Sequence, residues 1–432
     1  MNLSLQDPFT VAKEYPDTLV QTFQYGHSVT IQFNAKGDYL ASGLSDGTIA
    51  IYDLVSNGLI AILSRGGHTR SITSLKWSHC GQYLLSSSQD WSCIVWDLSQ
   101  ANNETFEENP AVLHKVQFDS PIWQALFQPH THTAFTASIF DEDPVYVDFS
   151  TGEQKITKLQ TEPVVEGDDD DEDDPKKRDS KHRTLVTSFM PLGDYVITGT
   201  SKGWLNVIST ATFKTVHLVK ITNSNIKTLE ISSNGRKLAV NSSDRIIRQI
   251  NLPDMLNNDQ PDLWEFEIEQ RYQDVVNRLQ WNTVAFNHNS EFLVASTFGQ
   301  SSQDLYVWET QMGSLIKILE GSHEELIDVK WNYSKCMIGS TGLDSGSVYL
   351  WLVQFPLKWS ALAPDFVEIE ENEEYEEKED EFDVIDETDL LKKRMEEEDT
   401  FVDVITCEAT DARGFDTQIE SFVIPINYEK AI

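Results

Sequence analysis

The chain has 432 residues, 40% of them hydrophobic, with 11 Trp, 13 Tyr and 21 Phe; that is enough apolar surface to bury a sizeable core, so disorder throughout is excluded. Its formal net charge of −37 is concentrated in two places, residues 361–432 with 25 acidic and 6 basic side chains and residues 161–174 with nine acids and no base. The remaining body is only mildly acidic, and binding of naked DNA by a broad basic face is disfavoured because no such face is encoded.

Residues 1–24 begin MNLSLQDPFTVAKEYPDTLV, without the basic flank and apolar run of a signal peptide, and no stretch of about 18 apolar residues follows anywhere. A soluble intracellular protein is expected. The four cysteines, Cys80, Cys93, Cys336 and Cys407, form no C-x-x-C pair and no zinc or disulfide spacing, which fits a reducing compartment.

From Tyr25 onward one unit recurs seven times: an apolar strand, a Gly or Asn turn, a second apolar strand, a Ser/Gly/Asp turn and a third strand. The second copy, GGHTRSITSLKWSHCGQYLLSSSQDWSCIVWDLS at 66–99, is the clearest; the pattern fades in the middle of the chain. Equivalent third-strand positions are read at Tyr52, Trp96, Val147, Val207, Ile250, Trp308 and Trp351. Half of the intervals match the period of about 40 to 45 residues of a four-stranded blade. The longer ones are assigned to insertions near 161–183 and 253–274, since a surface loop tolerates length where a packed core does not. The expected fold is an all-β, seven-bladed WD-repeat propeller at 25–355, closed by a strand from 1–24 and followed by an extended, largely irregular acidic tail at 356–432.

In such a repeat, His68, Ser86 or Ser88, Asp90 and Trp96 can join one buried hydrogen-bonded network that staples the blade, so His68, Asp90 and Trp96 are read as structural. No G-x-S-x-G, H-E-x-x-H, G-x-x-x-x-G-K-[ST] or strand-linked G-x-G-x-x-G occurs. The expectation is a non-enzyme with no catalytic residue, cofactor or metal. The basic run KKRDSKHR, with Lys176, Lys177, Arg178, Lys181 and Arg183, reads equally as a nuclear-import signal, as a contact to nucleosomal DNA, or as charge balance beside the acids.

After Trp351 the strand pattern stops, and 359–383 reads WSALAPDFVEIEENEEYEEKEDEFD. Trp359, Leu362, Phe366, Ile369, Tyr375 and Phe382 are spaced to anchor in partner pockets while the carboxylates steer toward a basic surface; on composition alone an acidic spacer is the alternative. The strings WSALAPDF and EENEEYEEKEDEFD closely resemble the tail of the retinoblastoma-binding WD-repeat subunit of COMPASS, the trithorax- or MLL-type complexes that methylate lysine four of histone H3. EEDTFVDVITCE at 397–408 resembles that family's short motif for a second WD-repeat subunit.

The resemblance implies a nuclear, non-catalytic scaffold and activating subunit. Ala363, Pro364, Asp365, Phe366, Glu368, Ile369 and Glu371 would lie against the SET-domain methyltransferase subunit. Glu374, Tyr375, Glu376, Glu377, Glu379, Asp380, Glu381, Phe382 and Asp383 would hold a SPRY-domain subunit, and Val402, Asp403, Val404 and Ile405 a second WD-repeat subunit. The nucleosome would be met through the complex, and no membrane is involved. The alternative from another class is a propeller adaptor for a ubiquitin ligase or trafficking complex, which would use its central face and leave the tail as spacer.

Overall fold

The computed structural model describes residues 15–353, apart from 102–110, 141, 160, 162–182, 256–260, 262–263, 275, 300–303 and 333, together with 387–398 and 422–425. Glu14–Gln354 and Ile419–Ile432 form one compact unit; Met1–Lys13 and Phe355–Gln418 form the other.

Seven four-stranded antiparallel sheets make up the larger unit, and six of them are built from four consecutive strands. Blade two shows the pattern: Ile72–Trp77, Tyr83–Ser88, Ser92–Asp97 and Val112–Gln117 run from the centre outward. Its second and third strands are buried along almost their whole length, because a blade packs between neighbours on both faces and therefore reads as a continuous apolar or small-residue run. The outermost strand, VLHKVQ, is only partly covered and alternates accordingly. Close approach of neighbouring blades is visible at Gly43 and Gly199, where an added Cβ would lie 2.8 Å from Ile72 Cγ2 and Ile226 Cγ2 of the following blade.

The seventh sheet is discontinuous in sequence. Thr18–Phe23 pairs antiparallel with Val348–Leu352, Thr18 opposite Leu352 and Phe23 opposite Val348, and Met337–Gly342 and Leu326–Asn332 complete the blade. Joining the two ends of the repeat region closes the ring with main-chain hydrogen bonds. Side chains reinforce the seam: Thr30 Oγ1 and the Ile31 amide of blade one donate to Asp328 Oδ2 of blade seven at 2.8 and 3.1 Å. Asn332 Nδ2 donates to the Gly37 carbonyl at 3.0 Å.

Each innermost strand carries a register shift near its start, for example between Ile72 and Ser74, Ile122 and Gln124, and Ile226 and Thr228, a bulge that bends and twists the strand where it lines the central channel. In blades one to six the turn from first to second strand holds a left-handed residue. Gly81 supplies it in blade two at φ 77°, but His130 in blade three and Ser290 in blade six hold φ 64° and 60° as non-glycine residues.

Two expectations are corrected. The stretch 253–274 is not all insertion, because Glu267–Tyr272 is the outer strand of blade five, and Met255 and Trp264 are buried in the core shared by blades four and five. Apolar residues at every second position, Trp264, Phe266 and Ile268, are the strand signal in that stretch. In blade four the residue in register with Trp96 is Ile208 rather than Val207: Val196 pairs with Ile208 as Leu84 pairs with Trp96.

In the smaller unit, the described element is the helix Glu387–Glu398, ETDLLKKRMEEE. Its Leu, Lys, Arg, Met and Glu residues are strong helix formers, and Asp389 and Lys392 form an i,i+3 ion pair at 3.6 Å.

Candidate protein-interaction site

The staple of blade two is assembled as its residue types require. Its His68 Nδ1 lies 3.2 and 3.1 Å from the two Asp90 carboxylate oxygens, and Nε2 lies 2.7 Å from Ser86 Oγ. Trp96 Nε1 donates to the same hydroxyl at 2.8 Å. Ser92 Oγ and the Thr69 amide complete the Asp90 shell at 2.6 and 3.0 Å. Burial would raise the Asp90 pKa, but the hydrogen bonds from His68 and Ser92, the charge of His68 and the Thr69 amide reverse this and hold it well below the ordinary carboxylate value. Between the two serines considered, Ser86 is the bridge; Ser88 instead donates to the Arg70 and Ser71 carbonyls. Every polar atom in the chain of contacts is spent on holding two turns to the core, so the site is architecture rather than a nucleophile and base.

Other blades reach the same end with residues that carry no repeat signature. In blade five, Arg248 Nη1 donates to Ser242 Oγ at 2.8 Å and its Nη2 meets Asp244 Oδ2 at 2.5 Å, while Thr222 Oγ1 reaches the same oxygen at 3.1 Å. For blade seven, Glu324 accepts from the Asp344 and Ser345 amides at 2.7 Å each and from Tyr349 Oη at 2.5 Å. Burial opposes ionisation of both Asp244 and Glu324, and their hydrogen bonds, with Arg248 beside Asp244, outweigh it, so both pKa values are lowered.

At the centre, a cavity of about 530 Å³ is lined by Lys76, Lys227, Lys330, Glu230, Asp328 and Trp123 among others. Asp328 faces Lys330 at 3.5 Å. Burial pushes the Lys76 ammonium down, with Glu230 offsetting part of the effect. On the face where innermost strands begin and second strands end, Trp123 and Phe140 are exposed with ring centroids 5.7 Å apart, and Lys227 Nζ lies 5.3 Å from the centre of the exposed Phe298 ring. These rings were not singled out by sequence reasoning, since an aromatic residue at a strand end looks like core; only register reveals that they point outward. Among the described residues, no group of three or more His, Cys, Asp or Glu is arranged to hold a metal ion.

Of the other predicted residues, Arg183 begins blade four, is exposed, and its carbonyl accepts from the Ser201 amide at 2.8 Å. Lys176, Lys177, Arg178 and Lys181 lie outside the described residues, as do the tail positions from Ala363 to Asp383 and from Val402 to Ile405.

Seven closed four-stranded blades, one stapled by His, Ser, Asp and Trp, define a WD-repeat β-propeller. A family model described as WD domain, G-beta repeat, matches residues 17–53 and 59–97. The chain is 43% identical over 405 residues to the Set1 complex component swd1 of Schizosaccharomyces pombe, covering 94% of each chain. It is 41% identical over 442 residues to the COMPASS component SWD1 of Saccharomyces cerevisiae, covering 100% of this chain and 99% of that one. The crystal structure of the β-propeller domain of Myceliophteria thermophila Cps50 (Swd1) superposes with a TM-score of 0.70 at 37% identity, covering 78% of this chain and all of that one. The chain belongs to the Swd1 family, the WD-repeat proteins that include the retinoblastoma-binding protein 5 homolog of Drosophila melanogaster, to which it is 32% identical over 414 residues, 94% of this chain and 77% of that one.

Proposed function

We propose that this protein is a nuclear, non-catalytic scaffold and activating subunit of a COMPASS-type complex that methylates lysine four of histone H3. The observation that carries this reading is the span of the likeness: identity with the COMPASS component SWD1 runs over 100% of the chain, tail included, and not over the propeller alone. The closed ring supplies the folded body of the chain, and the tail supplies the partner-binding strings. In the tail, Ala363–Glu371 lies against the SET-domain subunit, Glu374–Asp383 holds the SPRY-domain subunit, and Val402–Ile405 engages the second WD-repeat subunit.

Activation then works by preorganisation. A catalytic lobe ordered by the tail before substrate arrives no longer loses that ordering entropy on the way to the transition state, and no reacting group need come from this chain. One segment holding two partners also raises their effective concentration for each other. The basic run 176–183 serves nuclear import or touches nucleosomal DNA. Reconstitution of the purified subunits with the full chain and with a 359–383 deletion tests the reading. Stimulation of nucleosomal lysine-four methylation lost on deletion, with the propeller still folded, supports it; stimulation retained by the deletion refutes it.

A further inference from the structure

Residues 422–425, Phe-Val-Ile-Pro, return to the propeller far along the chain from the last blade strand. Ile424 is 1% exposed and Phe422 is partly buried, both packed into the cluster shared by blades one and two that includes Ile60, Trp77, Leu98 and Ala111, while Val423 between them is 74% exposed. That alternation is the signature of an extended segment laying one face into a groove. Two main-chain contacts fix its register: the Phe422 amide donates to the Cys80 carbonyl at 3.3 Å, and the Ile424 backbone bonds the Tyr39 hydroxyl. Pro425 biases the residue before it toward the same extended conformation. The receiving wall is held independently of the segment, since Trp77 Nε1 donates to the Gln32 carbonyl of blade one at 3.0 Å and the Trp77 ring stacks on Tyr39 with centroids 6.5 Å apart.

We propose that the groove between blades one and two is a docking site for a short apolar peptide of the pattern aromatic, any residue, aliphatic, proline, filled in cis by residues 422–425. Sequence-tolerant main-chain bonds and one deep aliphatic pocket are the recognition mode of extended peptides on a preformed surface. Its occupation holds residues 422–425 against blades one and two. The dock stands whether or not the acidic tail carries the COMPASS contacts, because its residues lie wholly in blades one and two and in 422–425.

The test is fluorescence anisotropy of a labelled peptide spanning 421–430, added in trans to three hosts: the full chain, the full chain with Ile424→Asp, and a chain ending at residue 420, each checked for folding by circular dichroism. Both emptied hosts are expected to bind saturably with a dissociation constant below about 1 mM, the scale of effective concentration a flexible tether provides. The unmodified full chain, its groove already filled, should bind at least about tenfold more weakly, as should an Ile424→Asp peptide on the emptied hosts. Hydrogen exchange on the full chain should show the Phe422 and Ile424 amides protected and this protection lost in Ile424→Asp. Equal binding by the filled and emptied hosts, equal binding of the substituted peptide, or no binding to either folded emptied host would overturn the proposal.

Discussion

Replacing Ser86 with Ala removes one oxygen atom and breaks the staple of blade two at its centre. The hydroxyl is 2.7 Å from His68 Nε2 and 2.8 Å from Trp96 Nε1, and Ser86, Trp96 and the His68 ring are all buried, so water cannot replace it. Each group stranded in this way costs about 1–3 kcal/mol; with two stranded and the hydroxyl's own desolvation relieved, the loss should be about 3 kcal/mol. Blade seven provides the control. Ser340 occupies the equivalent register position, opposite Val329 as Ser86 is opposite Leu75, but its buried hydroxyl makes no hydrogen bond. Ser340→Ala should therefore change stability by less than about 0.5 kcal/mol or raise it slightly. Urea unfolding of the full chain, followed by tryptophan fluorescence and far-UV circular dichroism, measures both. If the two substitutions shift the midpoint equally, the hydrogen bonds of the staple are not what Ser86 contributes.

Asp328→Ala should cost about 3 kcal/mol, because it strands Thr30 and the Ile31 amide across the ring seam and leaves Lys330 without its carboxylate; a urea midpoint equal to wild type contradicts the role of that seam. Ser290→Gly should stabilise by about 0.5–1 kcal/mol, since it relieves the left-handed strain and the partnerless buried hydroxyl at a smaller cost in unfolded-chain entropy. Thermal melts that fall rather than rise would refute it. Acid stability follows from Asp90, Asp244 and Glu324, whose folded pKa values are all lowered. The unfolded chain binds more protons than the folded one at these groups, so their contribution is complete above the unfolded carboxylate range near pH 4 and is lost as pH falls toward the folded values. Asp244→Asn should lower stability at neutral pH and flatten the fall of stability between about pH 5 and 2; an unchanged acid slope would contradict this.

Blade two was readable because His68, Asp90 and Trp96 stand at fixed offsets, with only the bridging serine left open between Ser86 and Ser88, and the ring they imply is the one observed. The same reading weakened toward blades four and five for a physical reason. Burial requires that polar groups be satisfied, not that particular residues satisfy them, so Arg248 with Asp244 and Ser242 staples blade five and Glu324 staples blade seven with no shared motif. The slip from Ile208 to Val207 arose in a strand, WLNVIS, whose four middle residues are all buried; with no alternation, nothing in the residues marks which face is which. The outer strand at Glu267–Tyr272 was hidden by the polar residues of its exposed face. For the candidate site the division is sharper. The expectation for the tail rests on specific strings of residues that lie outside the described ones, whereas the exposed rings of Trp123, Phe140 and Phe298 and the groove that receives Ile424 depend on three-dimensional neighbours that no local pattern encodes.

Affinity purification of the intact chain from nuclei, beside the 359–383 deletion, would weigh the account most directly, with each preparation assayed for a SPRY-domain partner and for methylation of histone H3 lysine four on nucleosomes. Activity and partner retained on the intact chain and lost with the deletion, while both proteins melt alike, is the predicted result. Activity absent from both, or retained in full by the deletion, would contradict a scaffold that works through its tail.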